Sequence, residues 1–577
     1  MDRKSGVTDT ESLSLAIVGS GGSGVVTTGT ILLESIARFG LYALMTRSSG
    51  PQIRGGESAI MLRVADHPVD NLDDRFDLLL ALDWQHVDRF TDELPIDPTS
   101  LILHDNSKNE EVPAAFNLAA ERQLAFPFAK LAADIEHGRA NMVALGLLAQ
   151  LMGLPQETVK RATRDMLKTK GEAVVMASLG CIELGFAQVP TEKPIAPLTP
   201  PAAVSRRWNI SGNEASGLGA VQGGVRFVAA YPITPASGLL EWLAPNLEQL
   251  GGALVQAEDE LASINMAIGA SFGGVPSLTA TSGPGLSLMM EGLGLAVASE
   301  TPVVVNNVMR GGPSTGIPTK SEQSDLNIAL YGLHGDAPHL VLSALSIRDC
   351  TFTTEWAVKL AETLQSVAIV LTDQSQGQAR AVIDPPSSPA LEGRRKQPTC
   401  DAPYQRYAVT DDGISPMAIP GEAECMYTAD GLEHNQRGTP SAAASDHQRQ
   451  LDKRLRKLTD FDYGDDWAEL SGAGEICLIS WGSASGATRE AAERLSRAGH
   501  PARCIAVRLL APLPTERFSA AIAGATRLLV VEQNHGGQFY RYLNSCKVLP
   551  SDTDSLARPG PLPLRPQEIV NRIMQGL

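Results

Sequence analysis

Four short stretches carry residue types that could bind or turn over a small anionic substrate. Tyr231-Pro232-Ile233-Thr234-Pro235 follows the apolar run Val225–Ala230. Two prolines around Ile-Thr restrict the backbone, so the Thr234 hydroxyl is aimed rather than mobile; the alternative is a rigid turn with Thr234 capping the helix that follows. Thr279-Ala-Thr-Ser282-Gly283-Pro-Gly285 runs from a second strand-like stretch, Ser277–Thr281, through a Gly loop into a helix. A third, Pro302–Val308, leads into Met309-Arg310-Gly-Gly and then Pro318-Thr319-Lys320. A guanidinium at the C-terminal end of a strand suits a substrate carboxylate. Glu258-Asp259-Glu260 opens the helical stretch Asp259–Phe272. Acids in a first helical turn can simply complement the helix dipole, but a buried carboxylate there could also exchange a proton with a cofactor nitrogen. Thr234, Ser282, Arg310 and Glu260 on one sheet edge say more together than any one of them alone.

A further loop, Gly19-Ser-Gly21-Gly22-Ser-Gly24, follows the strand-like Leu13–Val18 and precedes a helical stretch. It fits GxGxxG, which presents backbone N–H groups and a helix N-terminus to an anion. A dinucleotide site needs an acidic residue after the second strand. Arg47 stands there, so NAD fits poorly and a phosphate or coenzyme A tail fits better. Close strand–helix packing is the other reason for such glycines. Arg54, in Gln52-Ile-Arg54-Gly55-Gly56, is a second candidate for a carboxylate or phosphate.

The elements that must place these residues read as α/β throughout. Residues 1–189 alternate strand-like and helical stretches, with helices near 117–135 and 141–166, and predict a parallel sheet. Residues 190–204 hold Pro190, Pro194, Pro197, Pro200 and Pro201 and predict an extended linker. Residues 205–375 form a second α/β unit, 376–470 a polar irregular segment ending in a basic helix, and 471–577 a third α/β unit. The net charge of −17 argues against a nucleic-acid binder held by general positive charge. No apolar run reaches the roughly 18–20 residues of a membrane span, and a cytoplasmic chain is expected. The seven cysteines are scattered, with no CxxC pair, which predicts reduced, mostly buried thiols and no metal or cluster site from this chain alone.

Taken together, YPITPAS, EDELASINMAIGAS, TATSGPGLSLM, GIPTKSEQSDL, the N-terminal GxGxxG with QIRGGES, and the ending Val530-Val-Glu532-Gln-Asn-His-Gly-Gly537-Gln resemble the alpha subunit of 2-oxoacid:ferredoxin oxidoreductases. The form resembled carries a gamma domain fused at its N-terminus, and within the family the 2-oxoglutarate enzymes are most similar. The resemblance covers nearly the whole chain. It implies a gamma-type domain, a thiamine-diphosphate-binding pyrimidine-type fold and a transketolase C-terminal-like domain. It implies the reversible reaction 2-oxoglutarate + CoA + oxidised ferredoxin to succinyl-CoA + CO2 + reduced ferredoxin. Pyruvate or a branched-chain 2-oxoacid is the alternative substrate, and a non-catalytic scaffold the alternative role.

By resemblance, Glu260 hydrogen-bonds the aminopyrimidine ring of thiamine diphosphate, with Glu258 as competitor. Tyr231, Pro232, Ile233, Ser282 and Gly283 line the cofactor. Arg310 holds the substrate C1 carboxylate, and Thr234 and Thr319 help place substrate. Lys320, Arg54 and His334 are candidates for a distal carboxylate, and Gly19, Gly21, Gly22, Gly24 and Arg47 for a CoA or anion loop. The chain lacks Gly-Asp-Gly with a downstream Asn for Mg2+-diphosphate. A beta subunit would bring Mg2+ and a [4Fe–4S] cluster in an α2β2 assembly, together with the docking face for ferredoxin.

Overall fold

Alternating apolar strands and amphipathic helices condense here into three sheets, seen in a computed structural model. It describes residues 12–49, 56–107, 110–188, 195, 197–201, 206–317, 320–386, 391, 393–399 and 403–575. Arg54 and Thr319 lie outside the described residues, as do Pro190 and Pro194 of the expected linker. The chain divides into two units, residues 1–210 with 379–386, and residues 211–378 with 387–577.

The first unit is built on an eight-stranded sheet ordered Gln123–Phe126, Leu101–Asp105, Leu78–Ala81, Ser12–Ser20, Glu57–Ala65, Tyr42–Ser49, Arg380–Ile383, Trp208–Ser211. The sheet is mixed, not parallel as expected. Glu57–Ala65 pairs antiparallel with both Ser12–Ser20 and Tyr42–Ser49, so a hairpin partner is inserted where a parallel crossover was predicted. Arg380–Ile383, which follows residues 211–378 of the second unit in sequence, joins this sheet antiparallel to Tyr42–Ser49 and breaks the expected 376–470 segment near its start. The helix expected near 117–135 is replaced by the strand Gln123–Phe126 and the short helix Phe128–Ala133. The one expected over 141–166 splits at Gly153 and Pro155 into Ala140–Leu151 and Gln156–Leu167. Proline cannot donate the helical N–H, but it suits the entry to a helix.

The second unit contains a seven-stranded sheet in the order Leu509–Ala511, Leu340–Ser343, Val367–Asp373, Val303–Met309, Ser277–Thr281, Phe227–Ala230, Ala253–Gln256. Six of these strands run parallel. Val303–Met309 and Val367–Asp373 are buried along their whole length, as strands covered on both faces must be. The short strand Leu509–Ala511 joins antiparallel to Leu340–Ser343 and comes from the C-terminal part, whose own five-stranded sheet is ordered Ala468–Gly472, Ala502–Val507, Ile476–Trp481, Arg527–Glu532, Asp554–Ala557. One apolar core runs through both sheets, and the buried Arg508–Asp349 pair, 2.8 Å, ties them.

Between them, the helix Ala444–Thr459 is anchored by charge. Glu300 is fully buried, with Lys453 Nζ at 2.6 Å and Lys457 Nζ at 2.9 Å; Arg406 donates to its carbonyl at 2.9 Å. Burial alone would raise the Glu300 pKa, but the three cations hold it well below the usual carboxylate range, while burial pushes Lys453 down to about 8. Glu300→Gln removes the carboxylate that these cations face, so the purified protein is expected to lose about 3–5 kcal/mol, read as a lowered urea midpoint.

Cys181, Cys350, Cys477 and Cys504 are buried free thiols and Cys546 is half-buried. Cys425 departs from the expectation of reduced thiols, because it is disulfide-bonded. Among the described residues no helix is long and apolar enough to cross a membrane.

Candidate active site

The site follows from strand direction. Phe227–Ala230, Ala253–Gln256, Ser277–Thr281 and Val303–Met309 are parallel neighbours. Their C-terminal ends therefore open on one edge, where parallel α/β sheets bind ligands. The edge brings together Tyr231–Thr234, Glu258–Glu260, Ser282–Gly283 and Arg310.

The three consecutive acids divide three tasks. Glu258 is exposed. Asp259, with extended φ −156°, is the N-cap of the helix Glu260–Phe272 and accepts the Ala262 N–H at 2.7 Å. That leaves Glu260 in the first turn with its side chain turned inward and only 7 % exposed. No described residue donates a hydrogen bond to its carboxylate. A Cβ built on Gly285 would lie 2.7 Å from Glu260 Oε1 and 2.0 Å from Thr281 Oγ1, so glycine is required there to let the carboxylate in. A largely buried carboxylate with no described donor, in a cradle closed by glycine, is open to a donor brought from outside the chain.

Arg310 is half-buried at the end of Val303–Met309. Its Nη1 donates to the Thr234 carbonyl at 2.8 Å, whereas its Nε is buried without a partner, as is Ser282 Oγ. Thr234 is exposed, and the helix Ser237–Gln249 starts at Ala236 with no side-chain cap, so Thr234 does not serve as its cap. Asn213 Nδ2 donates to the Pro235 carbonyl at 2.9 Å and fixes this loop from below. Tyr231 and Pro232 are exposed beside it, and Ile233 packs partly into the core. The Lys320 carbonyl accepts the Gly311 N–H at 2.9 Å, which places the lysine next to the arginine's loop.

Asp325, Asn307 and Glu322 were not singled out by the sequence. Asn307, fully buried in the Val303–Met309 strand, donates to Asp325 Oδ2 at 2.9 Å. The other Asp325 oxygen lies 2.7 Å from where a Cβ on Gly283 would stand, which gives that glycine its reason. Burial raises the Asp325 pKa to about 6, against the opposing pull of Asn307 and Arg310. Its native pKa is thus above the unfolded value of about 3.8, so the native state holds the proton more tightly. Asp325 therefore makes stability fall as pH rises from about 4 to about 6, by at most about 1.4 kcal/mol per pH unit. The difference in urea midpoint between the parent and Asp325→Asn should show that slope in this window and flatten above it.

Other predicted residues lie elsewhere. His334 packs beside Gly294, eleven residues and thus about 16 Å along the Gly283–Ala298 helix from the edge. In the first unit, Ser20 N and Oγ both donate to Asp83, and Gly21 N donates to the Gly56 carbonyl. The loop's leading donors are thus spent internally on the Asp83 carboxylate and the Gly56 carbonyl, and the space above Gly24 is filled by Asn141. The anion reading of Gly19, Gly21, Gly22 and Gly24 keeps only the later N–H groups. Arg47 is exposed on its strand. Among the described residues no group of three or more His, Cys, Asp or Glu could hold a metal ion.

Comparison with known proteins decides the family. Residues 14–188 match "Pyruvate ferredoxin/flavodoxin oxidoreductase", and residues 218–453 match "Pyruvate flavodoxin/ferredoxin oxidoreductase, thiamine diP-bdg". A 2-oxoacid:ferredoxin oxidoreductase subunit alpha from Aeropyrum pernix is 31% identical over 98% of each chain. The chain belongs to the 2-oxoacid:ferredoxin oxidoreductase family. It is an alpha-type subunit of these enzymes. The 2-oxoglutarate synthase subunit KorA of Methanothermobacter thermautotrophicus is 35% identical over 64% of this chain and 99% of its own length. A solved 2-oxoglutarate:ferredoxin oxidoreductase from Magnetococcus marinus, with 2-oxoglutarate, coenzyme A and succinyl-CoA bound, is 34% identical over 98% of this chain and all of that one, with a TM-score of 0.91. In this 2-oxoacid:ferredoxin oxidoreductase subunit, the thiamine-diphosphate-binding match covers Glu260, Arg310 and the four strand ends described above.

Proposed function

We propose that the chain is the alpha subunit of a 2-oxoglutarate:ferredoxin oxidoreductase that interconverts 2-oxoglutarate, CoA and oxidised ferredoxin with succinyl-CoA, CO2 and reduced ferredoxin. The observation that carries the substrate is the likeness to the Magnetococcus marinus enzyme over nearly both whole chains. The family descriptions name pyruvate, which makes pyruvate the competing substrate.

The residues present fit thiamine diphosphate. Glu260, unsatisfied in its glycine-walled cradle, would accept a hydrogen bond from the aminopyrimidine ring, with Tyr231, Pro232, Ile233, Ser282 and Gly283 around it. When bound, the cofactor supplies the nucleophilic carbon that the protein side chains lack. Arg310, whose Nη1 is already braced by the Thr234 carbonyl, directs its remaining N–H groups at the substrate C1 carboxylate. The Thr234 hydroxyl and Thr319 assist, and Lys320 or Arg54 answers the distal carboxylate. Coenzyme A is the co-substrate, with the exposed Arg47 as a candidate contact. A beta subunit carrying Mg2+ and the [4Fe–4S] cluster completes the site in an α2β2 assembly with ferredoxin as its redox partner.

Anaerobic isolation of the tagged chain from its host tests this assembly. An equimolar iron–sulfur subunit and bound thiamine diphosphate are expected. A chain recovered alone, and inert with added cofactors and a recombinant beta subunit, would favour the scaffold role.

A further inference from the structure

The C-terminal motif Glu532-Gln533-Asn534-His535-Gly536-Gly537-Gln538 has no part in the cofactor cradle, yet it is tied directly to the substrate edge. Gln323, fully buried, stands at the centre. Its N–H donates to the Gln533 carbonyl at 2.8 Å, and its Oε1 accepts the Gln533 N–H at 2.7 Å. Its Nε2 donates to the Trp481 carbonyl at 2.8 Å, and its own carbonyl accepts Asn534 Nδ2 at 3.2 Å. Gln538 then takes the next residues: Nε2 donates to the Ser324 carbonyl and Oε1 accepts the Asn327 N–H, both at 2.8 Å. The loop itself is shaped by Glu532, which accepts from Asn534 Nδ2 at 2.5 Å and from the backbone of Phe539 and Tyr540 at 2.8 and 3.0 Å.

These bonds do not end on inert surface. Ser324 Oγ donates to the Arg310 carbonyl at 3.2 Å, so two hydrogen bonds lead from Gln538 to Arg310. Asp325 lies between the two residues that Gln538 grips. Glu322, immediately before Gln323, presses its Oε2 to within 2.9 Å of where a Cβ on Gly311 would stand. The segment Lys320–Asn327 is therefore held on one side by the Arg310 loop and on the other by the C-terminal motif.

We infer that Gln323 and Gln538 are positioning residues for substrate: through them the C-terminal motif, by the Gln533 backbone and the Gln538 side chain, fixes the segment that sets Arg310 and Asp325. Amides suit this task because each offers a donor and an acceptor without bringing charge beside the carboxylates. The inference rests on the reading of Arg310 as the carboxylate anchor.

The test uses the assembled enzyme carrying Gln538→Ala, Gln538→Glu, or Arg310→Ala. Gln538→Ala removes both bonds. Peptides spanning 320–327 are expected to exchange amide hydrogen about tenfold faster, and the KM for the 2-oxoacid to rise about tenfold, with kcat and the KM for CoA little changed. Gln538→Glu keeps the acceptor for the Asn327 N–H and should fall between the two. Unchanged exchange at 320–327 would overturn the inference. So would faster exchange with an unchanged KM, provided Arg310→Ala raises that KM. If Arg310→Ala leaves KM unmoved, the failure lies in the Arg310 reading instead.

Discussion

Glu260→Gln is expected to lower turnover of the assembled enzyme by about 10²–10⁴-fold, the range over which a positioned acid–base group contributes. The substitution keeps the shape that Gly285 accommodates and removes the charge. The argument rests on contrast among neighbours. Glu258 is exposed, Asp259 is committed to capping, and only Glu260 is buried with no described donor to its carboxylate. A carboxylate so placed can take a donor brought by a ligand. Glu258→Gln, measured beside it, should leave kcat within about twofold of the parent, because a solvated surface carboxylate contributes little.

Arg310→Ala should lower kcat/KM for the 2-oxoacid by about 10²–10³-fold, the usual scale for removing one electrostatic donor. Arg310→Lys should recover only part of this. A guanidinium can brace against the Thr234 carbonyl with one N–H and present others to a carboxylate, while an ammonium on a flexible stem cannot hold both in one plane. The measurement is steady-state kinetics over a range of 2-oxoacid at saturating CoA. A full recovery with lysine would mean that charge alone matters there and that the brace to Thr234 is incidental.

The strands that deliver these residues were legible because each is a short apolar run closed by a Gly- or Pro-rich loop. Ser277–Thr281 stands where the pattern places it, and Val303–Met309 and Phe227–Ala230 lie within two residues of the expected runs. Arg380–Ile383 and Leu509–Ala511 were not legible. Each is three or four residues long and joins a sheet whose other strands lie far away in sequence, so local periodicity carries no trace of the pairing. The mixed first sheet was missed for a related reason: Glu57–Ala65 is strand-like, but its partner and direction are set by nonlocal pairing.

At the site, residue type and position on the sheet edge were enough for Glu260 and Arg310. Asp325 was hidden, because its meaning depends on Asn307, eighteen positions away, and on the gap that Gly283 leaves. The bonds of Gln323 to Gln533 and of Gln538 to Ser324 and Asn327 were hidden for the same reason. The motif that supplies Gln538 was visible as a pattern, and its target was not.

The most direct test of the account is the product formed by the anaerobically purified complex when it is given 2-oxoglutarate or pyruvate with CoA and an oxidised viologen dye. The account predicts CoA-dependent dye reduction with 2-oxoglutarate, with succinyl-CoA formed in step and lowered at least about 10²-fold by Glu260→Gln. Acetyl-CoA formed from pyruvate, with no succinyl-CoA from 2-oxoglutarate, would contradict it.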